Sequence, residues 1–177
     1  MGHTRNERHG QQADASLHQS SAFAGDVDLE HLNVFIGKWH MEGRQLAGPA
    51  GPAASISALQ TYEWMQGERF LIHRFDGHVG DSQASCIEII GADTERQCYR
   101  AHTFYNNGQM NVWDMDERDG QWRLLGDWNA SGKSMKVRCT VTFADDGQTM
   151  NSKWEHSNDG AKWQTFWDVS ARKVTDH

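Results

Sequence analysis

From Val34 onward the chain is broken at regular intervals by turn signals: AGPAGPA, QG, GD, DT, NNG, RDG, ASGK, DDG and NDG. Breaks spaced about 8 to 12 residues apart and carried by Gly, Asn and Asp are the mark of short antiparallel strands joined by hairpins, and they predict about ten strands here. Both prolines, Pro49 and Pro52, fall in the first connection. That loop is therefore the longest, and the strands are free of proline. A meander of this length loses its unpaired edges most simply by closing on itself. The expected fold class is all-β, an antiparallel up-and-down β-barrel of about ten strands, with an open two-sheet sandwich as the alternative.

A chain of 177 residues fits one domain. Residues 1–28 are expected to form a disordered tail and 29–177 a single barrel, with DVDLEHLNVF giving one helical turn capped by Asp26 or Asp28. The net charge of -7 argues against a nucleic-acid partner. No apolar run approaches the ~20 residues of a membrane helix, and the first residues lack the apolar stretch of a signal peptide. The expected setting is cytoplasmic, without a membrane partner. Cys86, Cys98 and Cys139 are an odd number without a CxxC pair and read as free thiols. The histidines form neither HxH nor HExxH, so no metal site is expected.

Facing follows from pairing strands across two-residue turns at Gly80–Asp81, Thr94–Glu95 and Asn107–Gly108. Arg74 then pairs with Ile87, Ile89 with Arg100, and His102 lies beside Trp113. One inner row collects Phe70, Ile72, Arg74, Ile87, Ile89, Arg100, His102, Phe104, Trp113, Met115, Trp122, Leu124 and Trp128. The stretch KSMKVRCTVTFA alternates cleanly and turns Met135, Val137, Cys139, Val141 and Phe143 inward. The last two strands direct Met150, Ser152, Trp154 and His156, then Trp163, Thr165, Trp167 and Val169, to the same side.

The blocks LNVFIGKWHMEG, YEWMQGERFLIHRFDG, IEIIGADTERQCY, DGQWRL, FADDGQTM and SNDGAKWQTFWD carry a resemblance over residues 31 to 173. In order and spacing they are similar to a bacterial family of lipocalin-like, or calycin, barrels known mainly as a domain of unknown function. The Gly37-x-Trp39 opening resembles that of lipocalins and nitrobindins, which implies that Trp39 closes the base of the barrel. Nitrobindin-like barrels hold a haem through a histidine of the closing strand. WQTFWDVSARK has none, which leaves His156, one strand earlier, as the substitute ligand. The resemblance implies a fold and a concave interior but no reaction.

Inward charges are costly without a partner. Arg74 and Arg100 among aromatic rings therefore suggest a ligand-binding barrel holding an amphipathic, anionic or aromatic small molecule, with Arg74, Arg100, His102, Trp113, Trp128, Trp154 and His156 as its contacts. The alternative for Arg74 and Arg100 is a structural network with Glu63, Asp76 or Glu88. Neither GxSxG nor GxGxxG is present. An enzyme on this chain would thus work by acid–base chemistry, a cyclisation or isomerisation with His102 as the candidate base. No cofactor is expected beyond the haem alternative, and a homodimer is left open.

Overall fold

A computed structural model describes residues 27–130 and 133–175. The chain enters through a 3-10 helix, Leu29–Phe35, whose N-cap Asp28 accepts the Glu30 backbone N–H at 2.9 Å. The rest of the expected tail, up to residue 26, lies outside the described residues. Ten strands follow: β1 (Gly37–Gln45), β2 (Ala54–Trp64), β3 (Leu71–Val79), β4 (Ser82–Asp93), β5 (Cys98–Tyr105), β6 (Met110–Arg118), β7 (Gln121–Ala130), β8 (Lys133–Phe143), β9 (Thr149–Ser157) and β10 (Gln164–Lys173).

Each strand pairs antiparallel with the next, and β1 pairs with β10 from Trp39 opposite Lys173 to Gln45 opposite Trp167. The sheet is therefore a closed barrel, as the turn spacing predicts, and not a sandwich. The 3-10 helix plugs one end. Its Leu32 and Phe35 are buried, and Phe35 sets its ring against Tyr62, Trp122 and Phe143 at 5.1 to 5.4 Å. Trp39 is wholly buried behind this plug, its Nε1–H donating to the Phe35 carbonyl at 2.7 Å. Gly37 makes the crossing from helix to strand at φ +125°, where a Cβ would also strike Lys173. The opening Gly-x-Trp thus closes one end of the barrel.

The registers correct the expected facing. Arg74 does pair with Ile87. The β4–β5 turn is four residues long, Thr94–Gln97, so Ile89 lies opposite His102 and Gly91 opposite Arg100. That shift of two leaves the sides unchanged. The β5–β6 turn has three residues between Tyr105 and Gln109, with Gly108 at φ +84°, and places His102 opposite Val112 and Ala101 opposite Trp113. An odd-numbered loop reverses which residues share a face. Trp113, Met115, Trp122, Leu124 and Trp128 face inward as expected, while Phe70, Ile72, Arg74, Ile87, Ile89, Arg100, His102 and Phe104 belong to the outer face.

A second correction concerns β10, where the register shifts between Thr165 and Trp167. The bulge lets neighbouring Phe166 and Trp167 both pack on inner residues. Trp163 instead lies outside, under the Arg138 guanidinium at 4.3 Å. Among the described residues no helix is long and apolar enough to cross a membrane.

Candidate site in the barrel lumen

With the sides assigned, five polar residues form one unbroken cross-strand row on the inner wall. Tyr62 on β2 lies opposite His73 on β3, His73 opposite Glu88 on β4, Glu88 opposite Thr103 on β5, and Thr103 opposite Asn111 on β6. The facing wall, from β8 to β10, presents Val137, Cys139, Val141, Met150 and Val169, all buried and apolar. The lumen therefore has one side with a continuous polar row and one mainly apolar side, interrupted on β9 by Ser152 and His156.

Hydrogen bonds tie the row together with a fixed direction. The indole Nε1 of Trp113 can only donate, and it donates to Thr103 Oγ1 at 3.0 Å. The Thr103 hydroxyl in turn donates to Glu88 Oε2, at 2.6 Å. The other carboxylate oxygen, Oε1, lies 3.3 Å from His73 Nδ1. Burial opposes the charge on Glu88, but the hydrogen bond and charge of His73 and the Thr103 hydroxyl outweigh it, holding the carboxyl below its ordinary range. Glu88 is then an ionised acceptor at neutral pH, and His73 Nδ1 must carry a proton. The remaining ring nitrogen, Nε2, is buried and has no hydrogen-bond partner. Tyr62 stacks flat on the imidazole, centroids 4.1 Å apart and planes within 1°, while its hydroxyl donates to Gln60 Oε1 at 3.1 Å. The ring is thus held by its edge and its face.

Glu88 also shapes its surroundings. Burial first, and the Glu88 charge second, push the hydroxyls of Tyr62 and Tyr105 well up and the Cys86 thiol to about 12. Cys139, across the barrel on β8, is raised by the same two causes. Both inner cysteines stay thiols.

The end opposite the plug is closed in by aromatic rings and by the loop of residues 46–53. Trp128 stacks on Phe166 at 5.8 Å, Phe75 on Trp167 at 6.5 Å, and His156 lies 6.0 Å from Phe166. Gln45 latches the loop by donating from Nε2 to the Pro52 carbonyl at 2.7 Å while accepting Trp167 Nε1–H at 2.9 Å.

Of the residues expected to meet a ligand, Trp113, Trp128, Trp154 and His156 do face inward, with Trp154 set edge-on to Trp113 at 5.6 Å. Arg74, Arg100 and His102 do not, because of the three-residue turn described above. Arg74 pairs with Glu63, the structural alternative, across β2 and β3. Arg100 sits between Asp114 at 3.2 Å and Asp93 at 3.7 Å, and His102 is exposed. Arg100 and His102 line an open outer cleft of about 370 Å³ with Phe70. Among the described residues every strand arginine occupies an outer position, so the motive for an anionic ligand is gone from the lumen. His156 is buried with Nδ1 unpaired. Its ring lies 6.0 Å from that of Phe166, and Gly48 of the loop after β1 faces its Nε2, where an added Cβ would come to 3.9 Å. The residues that facing from sequence missed are Tyr62, His73, Glu88, Thr103 and Asn111. The signal was the NNG turn itself: read with its glycine in the left-handed position, it turns this row inward from the unambiguous β8 alternation.

No curated protein matches the chain. Among solved structures it is similar to Rv2717c from M. tuberculosis, at 13% identity and a TM-score of 0.60, over 83% of this chain and 97% of that one. The likeness is one of fold. A family model described as "Protein of unknown function (DUF1579)" matches residues 28–173. The chain belongs to the DUF1579 family.

Proposed function

We propose that this protein is a small-molecule carrier or sensor whose lumen takes an amphipathic ligand, with the ligand's uncharged hydrogen-bonding end against the Tyr62–His73–Glu88–Thr103–Asn111 row and its apolar body against β8 to β10. The observation that carries the reading is His73 Nε2, a buried polar atom without a partner in an otherwise satisfied row. Such an atom represents a hydrogen bond forgone, at a cost of about 1 to 3 kcal/mol, and a ligand group can supply it. Glu88 disfavours anions at that place. The aromatic rings of Trp113 and Trp154 offer the body of the ligand edge and face contacts.

The test compares two probes of the same skeleton. Phenylnaphthylamine, which is neutral, should brighten, shift to the blue and quench tryptophan emission. Anilinonaphthalenesulfonate, which adds a sulfonate, should bind at least about tenfold more weakly, the effect of roughly 1.4 kcal/mol. Equal or tighter binding of the sulfonate, or no binding of either, overturns the reading.

A further inference from the structure

The hydrogen-bond chain fixes more than a ligand's orientation. A buried carboxylate that accepts from Nδ1–H of an imidazole, with Nε2 left free, is the arrangement by which a histidine is held in the tautomer that can accept a proton. Here the direction is set by the carboxylate, which when ionised can only accept: Thr103, itself accepting from Trp113, donates to Oε2, and His73 Nδ1 donates to Oε1. In its neutral form the ring then keeps the Nε2 lone pair free of any hydrogen bond. Tyr62, stacked within 1° of the ring plane, keeps it from turning. Side chain exposures of 12% for His73 and 10% for Glu88 keep water from competing for that atom.

We propose that His73 is a general base, with Glu88 as its positioning residue, and that the barrel catalyses proton abstraction from an acidic C–H of a small amphipathic substrate, the step shared by isomerisations and eliminations next to a carbonyl or imine. The proposal rests on the ligand-holding reading of the same lumen. In the step, Nε2 takes the proton, the C–H bonding pair becomes a new π bond, and the displaced pair moves onto the carbonyl oxygen or imine nitrogen in an isomerisation, or departs with the leaving group in an elimination. The imidazolium, paired with the Glu88 carboxylate, later returns the proton to the product or to water. No oxidant, reductant or second substrate is required.

The probe is nitrobenzisoxazole, whose ring opens when a base removes its C–H proton. The C–H pair completes a nitrile, the N–O bond breaks, and the pair leaves on a coloured cyanonitrophenolate. The full-length protein should turn this probe over with saturation, at a rate per mole about 100-fold or more above free imidazole. His73→Gln should fall to the imidazole level. Glu88→Gln should lose at least about tenfold in kcat with KM within about twofold, because an amide N–H offered to Nδ1 favours the wrong tautomer. The outward His102→Gln should keep the wild-type rate. Nitrogen NMR of the wild-type ring supplies a measurement independent of variants, and should find the proton on Nδ1.

Absence of acceleration by the wild-type protein, a rate unchanged in His73→Gln, or a proton on Nε2 of the neutral ring each overturns the proposal. Phenylnaphthylamine binding, measured alongside, separates the two conclusions. If it persists while the reaction is absent, only the general base fails, and if it is absent too, the ligand-holding reading fails with it.

Discussion

Glu88 sits where a charge is most exposed to its environment's preferences, and its titration should be visible in stability. Its carboxyl is held below the ordinary value of 4.5 in the folded chain, while the unfolded chain restores that value. Such a group contributes stability that is fully present above the unfolded value and is lost as pH falls through the folded one. We expect Glu88→Gln to lower stability by about 1 to 3 kcal/mol near neutral pH, the scale of a lost charge-assisted hydrogen bond. The gap between variant and wild type should close in urea titrations as pH drops below 4.5; a gap independent of pH would mean that the carboxylate form is not what His73 and Thr103 favour. Arg100 gives the opposite expectation. Three-quarters covered on the outer face and paired with Asp93 and Asp114, it has surface ion pairs worth about 1 kcal/mol or less. Arg100→Met should move the urea midpoint little and leave phenylnaphthylamine binding as it is. A loss of probe binding would shift attention from the lumen to the outer cleft beside Phe70.

At the scale of single elements, turns decide what the interior contains. The alternation in β8 is legible because Met135, Val137, Cys139, Val141 and Phe143 differ so plainly from Lys136, Arg138, Thr140 and Thr142. In β3 to β5 both faces carry apolar side chains: Ile87 and Phe104 on the outside are 46% and 44% exposed, while Phe75 and Ile90 on the inside are buried. Hydropathy cannot separate such faces, so their assignment was carried over from turn lengths, and one loop of three residues in place of two reversed it. The bulge in β10 is hidden for a related reason, since Phe166 and Trp167 are both aromatic and either could be the inner one. The loop after β1 carries a prediction of its own. Gln45 holds it through Pro52 and is itself held by Trp167. Gln45→Ala should free the loop and speed association of phenylnaphthylamine in stopped flow by about tenfold, with a smaller change at equilibrium. An unchanged association rate would mean that ligands enter by another route.

For the whole molecule, strand number, antiparallel order and closure were legible, because they depend on where the chain turns, while the closing role of Trp39 came from the family resemblance. The inner polar row was not, because it depends on agreement among four successive registers. The seam between β1 and β10 has a consequence for biosynthesis. A ribosome delivers Gly37–Gln45 early, and the strand that covers its free edge comes last, so the growing chain carries an unsatisfied β edge until Lys173 has emerged. A nascent chain stopped after Gly160 lacks β10 and leaves two edges open, on β1 and β9. It should pellet with inclusion bodies or be held by chaperones where the complete chain is released, and release of the shortened chain as a monomer would show that the seam is dispensable. Anything that stalls translation over those closing codons prolongs the period in which this protein is most exposed to misassembly.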